Sequence, residues 1–424
     1  MLPRAIREGK CFAWRKNPLI KNGLIFFSGS MAISAGNYIF HLVLGRMLGP
    51  ADYGILASLI SLSVILSIPM STVQTVIIKI ASNCKVSQNY GRLRFVLETF
   101  LKNSFLAGLI FLAILYAIAG PLARFLKIPD SRLIFFLGFL LLLCFLIPIT
   151  RGILQGLQKF KALSLNFFIE ALVKTILAIF LVIIGFKVYG ALLAIILSTL
   201  AAFIASFRPL KFIFAASPQK THFRKAARYS LPVFCSLFFF ALLYNLDVVL
   251  VKHFLPEQAA GLYSALSKLG QIIFFATGAI SAVMFPMVAE KYQKGENHNH
   301  LLIQSLKIVS IAGSLAVIFY FVFPNLVIRL LFGASYLAVA PLAGLFALAM
   351  LFLSLINILI SYHLSIHSFK FIFLVAGAGI AEILLIAFYH HSLGQVVMDV
   401  LFSLGGLLAS LLLFYFWNQK KYAK

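Results

Sequence analysis

Five ionisable side chains lie inside long apolar stretches of this chain of 424 residues: Glu170, Lys174, Asp247, Lys268 and Glu382. A charged group surrounded by hydrocarbon is costly, so such a residue usually faces a charged partner or a water-filled cavity. A carboxylate in such a place can exchange a proton or bind a cation, and an ammonium group can bind an anion. These five residues are therefore the candidate site.

Glu170 and Lys174 are four residues apart, with the acid on the N-terminal side, which favours an ion pair within one helix. Two interpretations are open. In the first, the pair neutralises itself and only makes insertion of the helix into a membrane tolerable. In the second, the pair faces a cavity and opens when a substrate or a cation arrives.

Asp247 and Lys268 lie on either side of a short turn at 252–261. At the rise of an α-helix, both are roughly 10–14 Å from the tip of that turn, so two adjacent helices can present opposite charges at one depth. The pair is either a static bond between helices or a site whose carboxylate titrates or binds a cation. Glu382 has no basic neighbour within a helical turn. It is protonated, hydrogen-bonded or facing a cavity, and the sequence does not choose.

Other kinds of chemistry find no support in the sequence. The four cysteines lie far apart without CxxC spacing, and there is no P-loop and no G-x-S-x-G motif. The histidine pairs His363/His367 and His390/His391 lie near the ends of apolar stretches, where an interfacial position is a simpler explanation than metal ligation. We therefore predict a protein without cofactor or metal that is not an enzyme.

The composition indicates the class of protein that holds these groups. The chain is 62% hydrophobic and only 11% charged, and apolar runs of about twenty residues, the length that crosses a bilayer as helix, recur throughout. The formal net charge of +25 raises the possibility of nucleic-acid binding, but the basic residues cluster in every second segment between apolar runs. That alternation is typical of membrane topology. The sequence predicts an all-α polytopic membrane protein.

We predict twelve transmembrane helices in two six-helix lobes. The spans are 23–44, 55–78, 103–123, 133–150, 163–185, 188–207, 229–251, 262–286, 305–328, 337–362, 371–389 and 396–417. The first lobe is then 23–207 and the second 229–417, joined by a basic linker at 208–228. A basic N-terminus at 1–22 and a short tail at 418–424 complete the chain.

The basic residues also predict the orientation. With a cytoplasmic N-terminus, 27 of the 36 Lys and Arg residues fall on the cytoplasmic side, seven on the opposite side and two inside spans. The excess of positive charge on the cytoplasmic side is the usual rule, so both termini and the linker are predicted to be cytoplasmic.

Two hairpin tips resemble each other and indicate a duplication. Residues 45–54 form a short Gly/Pro-rich turn between two apolar runs, and a related turn follows at 251–261. Because each half holds six spans, the repeat is parallel and encloses a cavity between the lobes. The alignment pairs Arg46 with Lys252, Pro50 with Pro256 and Gly54 with Gly261, and it also pairs His41 with Asp247 and Ser61 with Lys268. Only the second hairpin therefore carries the acid–base pair.

These stretches resemble a known family. The run LGRMLGPADYG at 44–54 resembles the first hairpin of bacterial polysaccharide-biosynthesis flippases of the O-antigen type. Further similarities are Asn245-Leu246-Asp247, the run GLYSA at 261–265, Phe285-Pro286 with Ala289-Glu290, and Leu331-Phe332-Gly333 with Tyr336. The resemblance covers most of the chain and implies a member of the multidrug/oligosaccharidyl-lipid/polysaccharide (MOP) exporter superfamily.

The resemblance implies a function. Such a flippase moves an undecaprenyl-diphosphate-linked oligosaccharide across the bacterial cytoplasmic (inner) membrane by alternating access, driven by an H⁺ or Na⁺ gradient and in contact with glycan assembly partners such as a polymerase. Basic groups of the cavity are expected to meet the diphosphate, here Arg46, Lys174, Lys252 and Lys268. The ion-coupling candidates are Glu170, Asp247 and Glu382.

Three other functions stay open. The first is a cation-coupled drug or small-molecule antiporter of the same superfamily. The second is a membrane glycan polymerase, ligase or acyltransferase, although such enzymes usually carry a large outer loop or a polar catalytic cluster, and neither is present in this sequence. The third is a scaffold of a glycan assembly complex that transports nothing.

Overall fold

A computed structural model describes residues 18–220 and 224–422, with side chains at 34–220, 231–232 and 234–417. The described chain is helical throughout and contains no strand. The helices before the linker are α1 (Pro18–Val86), α2 (Tyr90–Ala117), α3 (Ala119–Phe125), α4 (Arg132–Gly156), α5 (Phe160–Ile183) and α6 (Lys187–Phe207). A 3-10 helix, Arg208–Ala215, follows α6 directly.

The remaining helices are α7 (Arg224–Leu242), α8 (Leu246–Phe254), α9 (Glu257–Gln293), α10 (Asn299–Val322), α11 (Pro324–Leu331), α12 (Ala343–Ser365), α13 (Phe371–Phe388) and α14 (Leu393–Tyr422). A second 3-10 helix, Ala334–Leu342, precedes α12.

Ten of the described helices are long and apolar enough to cross a membrane. The pair α7/α8, which is bent by 41° between Leu242 and Leu246, adds an eleventh span. The first of the ten, Ser34–Val86, contains a non-helical residue, Gly49, and so covers two of the twelve predicted spans. The predicted all-α polytopic membrane fold is confirmed, and part of the first predicted span lies outside the residues with described side chains.

Gly49 divides α1 at the tip of the first hairpin. Its backbone angles, φ 72° and ψ 173°, lie in a region that residues with a Cβ rarely adopt, so glycine is required there. Pro50 follows directly and lacks the N–H of a helical hydrogen bond, which is tolerated at the start of the second arm. The predicted Gly/Pro turn is thus a sharp break between two long helical arms.

The described chain divides into two compact units. Unit 1 contains the residues up to Phe40 together with Pro69–Ala119 and Arg132–Ser230. Its core packs the end of α1 against α2, α4, α5 and the first 3-10 helix, with Leu210 and Ile213 fully buried.

Unit 2 contains His41–Ile68, Gly120–Ser131 and the chain from Leu231 onward. It therefore includes the first hairpin and most of α3, although both precede the linker at which we predicted the lobe boundary. Its core includes Tyr53 and Ala57 beside residues of α8, α9, α12 and α14. The predicted lobe boundaries stay a prediction.

Large apolar side chains cover the outside of several spans. In α2 and in α5, only 17% of the most apolar 18-residue stretch is buried. The side chains of Ile110, Phe168 and Ile176 are each more than half exposed. In water such a surface would be unfavourable, whereas lipid tails solvate it. These helices therefore have the surface of lipid-facing spans.

Candidate functional site

The first hairpin is attached to α11 within unit 2. The Arg46 guanidinium donates from Nε to the Leu331 carbonyl at 3.1 Å, and its Nη2 donates to the carbonyls of Arg329 and Leu330. These carbonyls lie at the C-terminal end of α11, where no helical N–H follows to satisfy them. Arg46 therefore caps α11 through Nε and Nη2.

Aromatic rings reinforce the same contact. Tyr336 donates its hydroxyl to the Gly45 carbonyl at 2.7 Å, and a Cβ on Gly45 would come within 2.6 Å of the Phe332 ring. Phe332 and Tyr336 both pack against Tyr53, with ring centroids 5.6 and 6.3 Å away. Two motifs that carry the family resemblance, around Gly45 and around Phe332, are thus in direct contact.

The two hairpins that the repeat pairs also meet. A Cβ on Gly54 would lie 2.7 Å from the backbone nitrogen of Gly261, and a Cβ on Gly261 would overlap the Pro50 carbonyl. Backbones approach this closely only where small residues face each other. The aligned glycines of the duplicated turns therefore form one close crossing.

Alanine at position 261 is expected to destabilise the protein by about 1–3 kcal/mol, the usual cost of an extra group in a packed place. The new methyl group must displace the Pro50 carbonyl. The unfolding midpoint of the purified protein in detergent measures the effect. Gly278→Ala in the same helix is the matched control, since a Cβ there meets nothing within 4 Å. Equal midpoints for the two variants would show that the crossing does not contribute to stability.

Three buried carboxylates surround Tyr263 in unit 2. The Tyr263 hydroxyl donates to Oδ2 of Asp247 at 2.8 Å, and both residues are at most 1% exposed. Glu382 lies within electrostatic range of Asp247 and of Tyr263, and Asp399 lies within range of Tyr263. We call Asp247, Glu382 and Asp399 the acid cluster.

The acid cluster has unused hydrogen-bonding capacity. Oδ1 of Asp247, both carboxylate oxygens of Glu382 and Oδ2 of Asp399 are buried without a hydrogen bond from the residues that the structure describes. Buried polar atoms are usually paired, so each such atom requires an explanation. The described His, Cys, Asp and Glu residues form no group of three or more that could hold a metal ion. Four acceptor atoms on three helices can instead accept a proton.

The static bond between Asp247 and Lys268, one of the two interpretations of this pair, is not formed in the structure. Lys268 donates to Oε1 of Gln271 at 2.9 Å, and Gln271 in turn donates to the Tyr244 carbonyl at 3.0 Å. Lys268 remains within electrostatic range of Asp247 and is 8% exposed. The Lys268 side chain bends toward Gln271, one turn further along α9, so its ammonium has a hydrogen-bond partner on its own helix. One carboxylate oxygen of Asp247 is paired with Tyr263 instead.

The first hairpin contains a similar hydrogen bond, although the alignment does not pair its tyrosine with Tyr263. Tyr53 bonds through its hydroxyl to Nδ1 of His41 at 3.1 Å, as Tyr263 bonds to Asp247. His41 is the residue that the alignment pairs with Asp247. In both hairpins a tyrosine of the second arm therefore bonds a titratable residue of the first arm, and only the second hairpin has an acid there.

Glu170 has a different partner from the predicted one. It forms an ion pair with Arg151 of α4, and its Oε1 lies 3.4 Å from the Thr199 hydroxyl of α6. Arg151 also donates from Nε to Oδ1 of Asn166 at 2.9 Å, and its guanidinium lies 4.6 Å from the centre of the Phe167 ring. The prediction of a Glu170–Lys174 pair is wrong because Arg151 reaches the carboxylate from a neighbouring helix.

Lys174 is turned toward α1 within unit 1. Its ammonium donates to Oδ1 of Asn37 and lies 4.9 Å from the centre of the Phe40 ring. Both contacts leave part of the donor capacity of the ammonium unused, since it carries three N–H groups. Glu170 stays within electrostatic range. Lys174 is thus a half-buried cation with one neutral oxygen partner.

Lys252, the residue aligned with Arg46, is also buried. Its side chain is 1% exposed, and its ammonium lies 3.6 Å from Oε1 of Glu257 across the second turn. Nearby, Lys127 donates to the Phe254 carbonyl at 3.1 Å, and His253 bonds through Nδ1 to the Phe125 carbonyl at 2.7 Å. The second turn therefore packs against the end of α3.

The histidine pairs occupy different environments. His363 is 1% exposed, stacks on Phe371 and packs against Phe414 with ring centroids 5.1 Å apart. His363 is thus covered by α13 and α14, and its level relative to the membrane interface stays a prediction. His390 is partly buried and stacks on Phe254.

Sequence reasoning missed three residues of these networks. Asp399 lies three residues from the start of the twelfth predicted span and is not among the five ionisable residues singled out above. Arg151 lies one residue beyond the fourth predicted span and was counted with the loop, whereas α4 continues to Gly156. Tyr263 had a visible signal, since it falls in the GLYSA run of the family resemblance.

The fold is shared with solved transporters. A multidrug resistance MATE family transporter of the MOP superfamily in an inward-facing conformation matches with TM-score 0.75 and 14% identity, over 94% of this chain and 97% of that one. The lipid II flippase MurJ in an inward closed conformation matches with TM-score 0.70 and 15% identity, over 92% and 87%. A MOP superfamily transporter from Pyrococcus furiosus gives 0.63 and 16%, over 96% of each chain. The predicted MOP-exporter-like fold is confirmed, and the protein has the fold of a multi-pass transporter.

Sequence comparison identifies the family within that class. The profile described as polysaccharide biosynthesis protein matches residues 43–341, which is more than half of the chain. An uncharacterized membrane protein of Methanocaldococcus jannaschii is 24% identical over 291 residues, 64% of this chain and 68% of that protein. The chain belongs to the polysaccharide biosynthesis protein family, as its hairpin motifs predicted.

Proposed function

We propose that this protein moves an undecaprenyl-diphosphate-linked oligosaccharide from the inner to the outer leaflet of the bacterial cytoplasmic membrane, for the assembly of a cell-surface polysaccharide. The family supports the substrate class, and the transporter fold supports alternating access. The flippase MurJ, a protein of similar fold, is described as acting on lipid II, which is also a lipid-linked saccharide.

Coupling of transport to an ion gradient is the part of the proposal that depends on the acid cluster. Asp247 and Glu382 are buried inside spans with oxygens that no described residue satisfies. Two adjacent carboxylates of like charge resist simultaneous ionisation, so the binding of one cation between them is favourable. We assign ion coupling to Asp247 and Glu382 and add Asp399. Glu170, the third predicted coupling residue, already pairs with Arg151, so its release would require that pair to open.

The basic candidates fall into two groups. Lys174 and Lys268 each donate to one neutral side-chain oxygen, so an anionic ligand can replace that partner without breaking an ion pair. Arg46 and Lys252 are engaged with carbonyls and with Glu257, respectively. We propose Lys174 and Lys268 as contacts for the diphosphate. Arg46 and Lys252 can contact substrate only in a state in which they have left their present partners, the α11 carbonyls and Glu257.

A leaflet-resolved assay tests the proposed function directly. Purified protein is reconstituted in liposomes with a fluorescent lipid-diphosphate oligosaccharide, and an impermeant reagent reports how much of it reaches the other leaflet. The proposal expects ion-gradient-dependent movement of this lipid. Movement at the rate of protein-free liposomes, with a gradient imposed in either direction, would contradict it.

Lys268→Ala is expected to raise the half-saturating concentration of the lipid-linked glycan about tenfold, since a hydrogen bond to a charged group contributes roughly 1.5–3 kcal/mol. The same liposome assay measures it, with the lipid concentration varied. Lys307→Ala, which removes an exposed lysine in the first half of α10, is the matched control and should leave the curve unchanged. A Lys268→Ala curve that overlays the unmodified protein would make Lys268 a packing residue.

The alternative of a cation-coupled drug antiporter has its own support. The MATE family transporter matches the fold with TM-score 0.75. Sodium- or proton-driven export of small organic cations by liposomes that fail to move the lipid-linked glycan would favour it. A glycan polymerase or ligase would instead change the covalent product, which mass spectrometry of the recovered lipid would detect.

We also propose that both termini lie in the cytoplasm and that the protein works beside a glycan polymerase. The distribution of basic residues supports the orientation. A C-terminal epitope that becomes accessible to antibody only after the inner membrane is permeabilised would agree with it, and access in spheroplasts would contradict it. Co-purification with a glycosyl polymerase of the same cell tests the partner.

A further inference from the structure

The segment that follows α6 is attached to the bundle. Residues 208–220, which we call the strap, begin as the 3-10 helix Arg208–Ala215 and continue as extended chain along the start of α2. A 3-10 helix repeats every three residues, so side chains at i and i+3 share a face. Leu210 and Ile213 share the inner face and are fully buried in the core of unit 1.

Polar contacts attach the strap to α2 and to the connection between α4 and α5. Arg94 donates from Nη1 to the carbonyls of Phe214 and Ala216 at 2.8 and 3.0 Å, and Lys159 donates to the Pro209 carbonyl at 2.7 Å. Partial burial lowers the pKa of Lys159. The Gln219 N–H donates to the Gly91 carbonyl at 3.0 Å, which completes the attachment.

The opposite face of the strap is exposed and has a defined chemical character. Arg208, Lys211 and Phe214 lie three residues apart and therefore share one face, and all three are exposed. Phe214 is 41% exposed and Phe212, beside that face, is 38% exposed. Cations also lie beside these rings, with Arg94 Cζ 5.9 Å from the centre of Phe214 and the Lys159 ammonium 3.9 Å from the centre of Phe212. A face that combines exposed aromatic rings and cations suits the boundary between lipid head groups and acyl chains.

The surroundings of the strap are strongly basic. Segments 79–102, 157–161 and 208–220 carry one acid, Glu98, which pairs with Arg94. They carry ten basic residues: Lys79, Lys85, Arg92, Arg94, Lys102, Lys159, Lys161, Arg208, Lys211 and Lys220. Because the candidate span that begins at Lys187 ends within the strap, at Ala215, we place this charge at the level of the head groups. The basic residues can be explained as topological signals that keep the strap on one side of the membrane. The exposed aromatic rings on the same face are not explained in this way.

We propose that the strap binds the head groups of anionic phospholipids in the leaflet at this end of unit 1, with Arg208 and Lys211 on the phosphates and Phe214 at the acyl boundary. Anionic lipids are enriched in the cytoplasmic leaflet, the side on which the basic residues place the strap. The lipid recognised is a structural lipid of the bilayer, and the site does not depend on which cargo the protein carries.

Fluorescence quenching tests this proposal. Phe214 is replaced by tryptophan in a chain carrying Trp14→Phe and Trp417→Phe, which removes both natural tryptophans. The protein is reconstituted with brominated phosphatidylglycerol or brominated phosphatidylcholine in otherwise equal bilayers. We expect quenching to show a preference of about fivefold or more for the anionic lipid, the factor that one surface charge contributes. Adding Arg208→Gln and Lys211→Gln should reduce the ratio to about one.

Phe186→Trp in the same background is the matched control. Phe186 is 54% exposed, lies at the other end of α6 beside a single basic residue, Lys187, and should show a ratio near one. Equal ratios at positions 214 and 186, or a preference that survives Arg208→Gln/Lys211→Gln, would overturn the proposal. Competition by free inorganic phosphate at equal ionic strength would also overturn it, since the site would then be a phosphate site and not a bilayer contact.

A second measurement does not depend on tryptophan substitution. The unfolding midpoint of the natural chain in detergent should rise on addition of phosphatidylglycerol more than on addition of phosphatidylcholine, because a ligand that binds only the folded state stabilises it. Arg208→Gln/Lys211→Gln should abolish the difference. A difference of the same size in that variant would contradict the proposal.

Discussion

Asp247→Asn is expected to abolish the response of transport to an imposed gradient while the protein still folds and accumulates. At 100 mV, one charge contributes about 2.3 kcal/mol, so the loss of one coupled cation should reduce gradient-driven accumulation of the lipid-linked glycan roughly 50-fold. The asparagine can still accept the Tyr263 hydrogen bond that Oδ2 receives at 2.8 Å, so the effect should fall on coupling and not on packing. Leaflet-resolved transport in liposomes, with and without a gradient, measures it.

The control acid for this experiment lies on α9. Glu290→Gln removes an exposed carboxylate that pairs with Lys294 at 2.6 Å, and it should leave transport unchanged. Glu382→Gln should resemble Asp247→Asn, because the two carboxylates are electrostatically linked. Replacing Na⁺ by choline at constant pH distinguishes sodium from proton coupling. Gradient-driven accumulation at the natural level in Asp247→Asn would remove this residue from the coupling mechanism.

Breaking the buried pair of unit 1 is expected to have the largest effect on stability. Arg151→Leu or Glu170→Leu alone should cost about 3–5 kcal/mol, because each leaves a mostly buried charge without its partner. The side chains of this pair are 12% and 17% exposed. The double variant Arg151→Leu/Glu170→Leu should recover most of that loss, since no unpaired charge remains. Unfolding midpoints in detergent measure all three variants.

An exposed pair of the same unit provides the comparison. Arg94 and Glu98 are 2.7 Å apart with side chains 29% and 43% exposed, and pairs of this kind contribute only about 0.3–0.5 kcal/mol. Glu98→Gln should therefore shift the midpoint little. If Glu170→Leu were as mild as Glu98→Gln, the Arg151–Glu170 contact would be a solvated pair, and Glu170 would regain its place as a coupling candidate.

The two charge pairs show how far spacing alone can predict contacts. A spacing of four residues places Glu170 and Lys174 on one helix face, but the preference for such a pair is only about 0.2–0.5 kcal/mol. Arg151, reaching Glu170 from α4, offers a forked guanidinium in a poorly solvated place, where a charge-assisted bond is stronger. Asp247 and Lys268 remain within electrostatic range of each other, yet Tyr263 and Gln271 are their nearer partners.

The hairpins show the opposite case. Gly49, Pro50 and the flanking apolar runs predicted a sharp break between two spans, and α1 has that break at Gly49. The repeat paired Gly54 with Gly261 from sequence alone. That these glycines would touch required the three-dimensional arrangement, as did the capping of α11 by Arg46.

The sequence by itself determined that this is an all-α polytopic membrane protein with duplicated hairpins and ionisable groups inside its spans. Those properties follow from local rules, because a span must be apolar over its length and must satisfy its own backbone hydrogen bonds. Only the tertiary structure decided which groups meet: Arg151 with Glu170 and Tyr263 with Asp247, with Glu382 within electrostatic range of Asp247. The reason is physical, since contacts between helices depend on rotation, depth and rotamer, and residue spacing along one helix does not specify these for its neighbour.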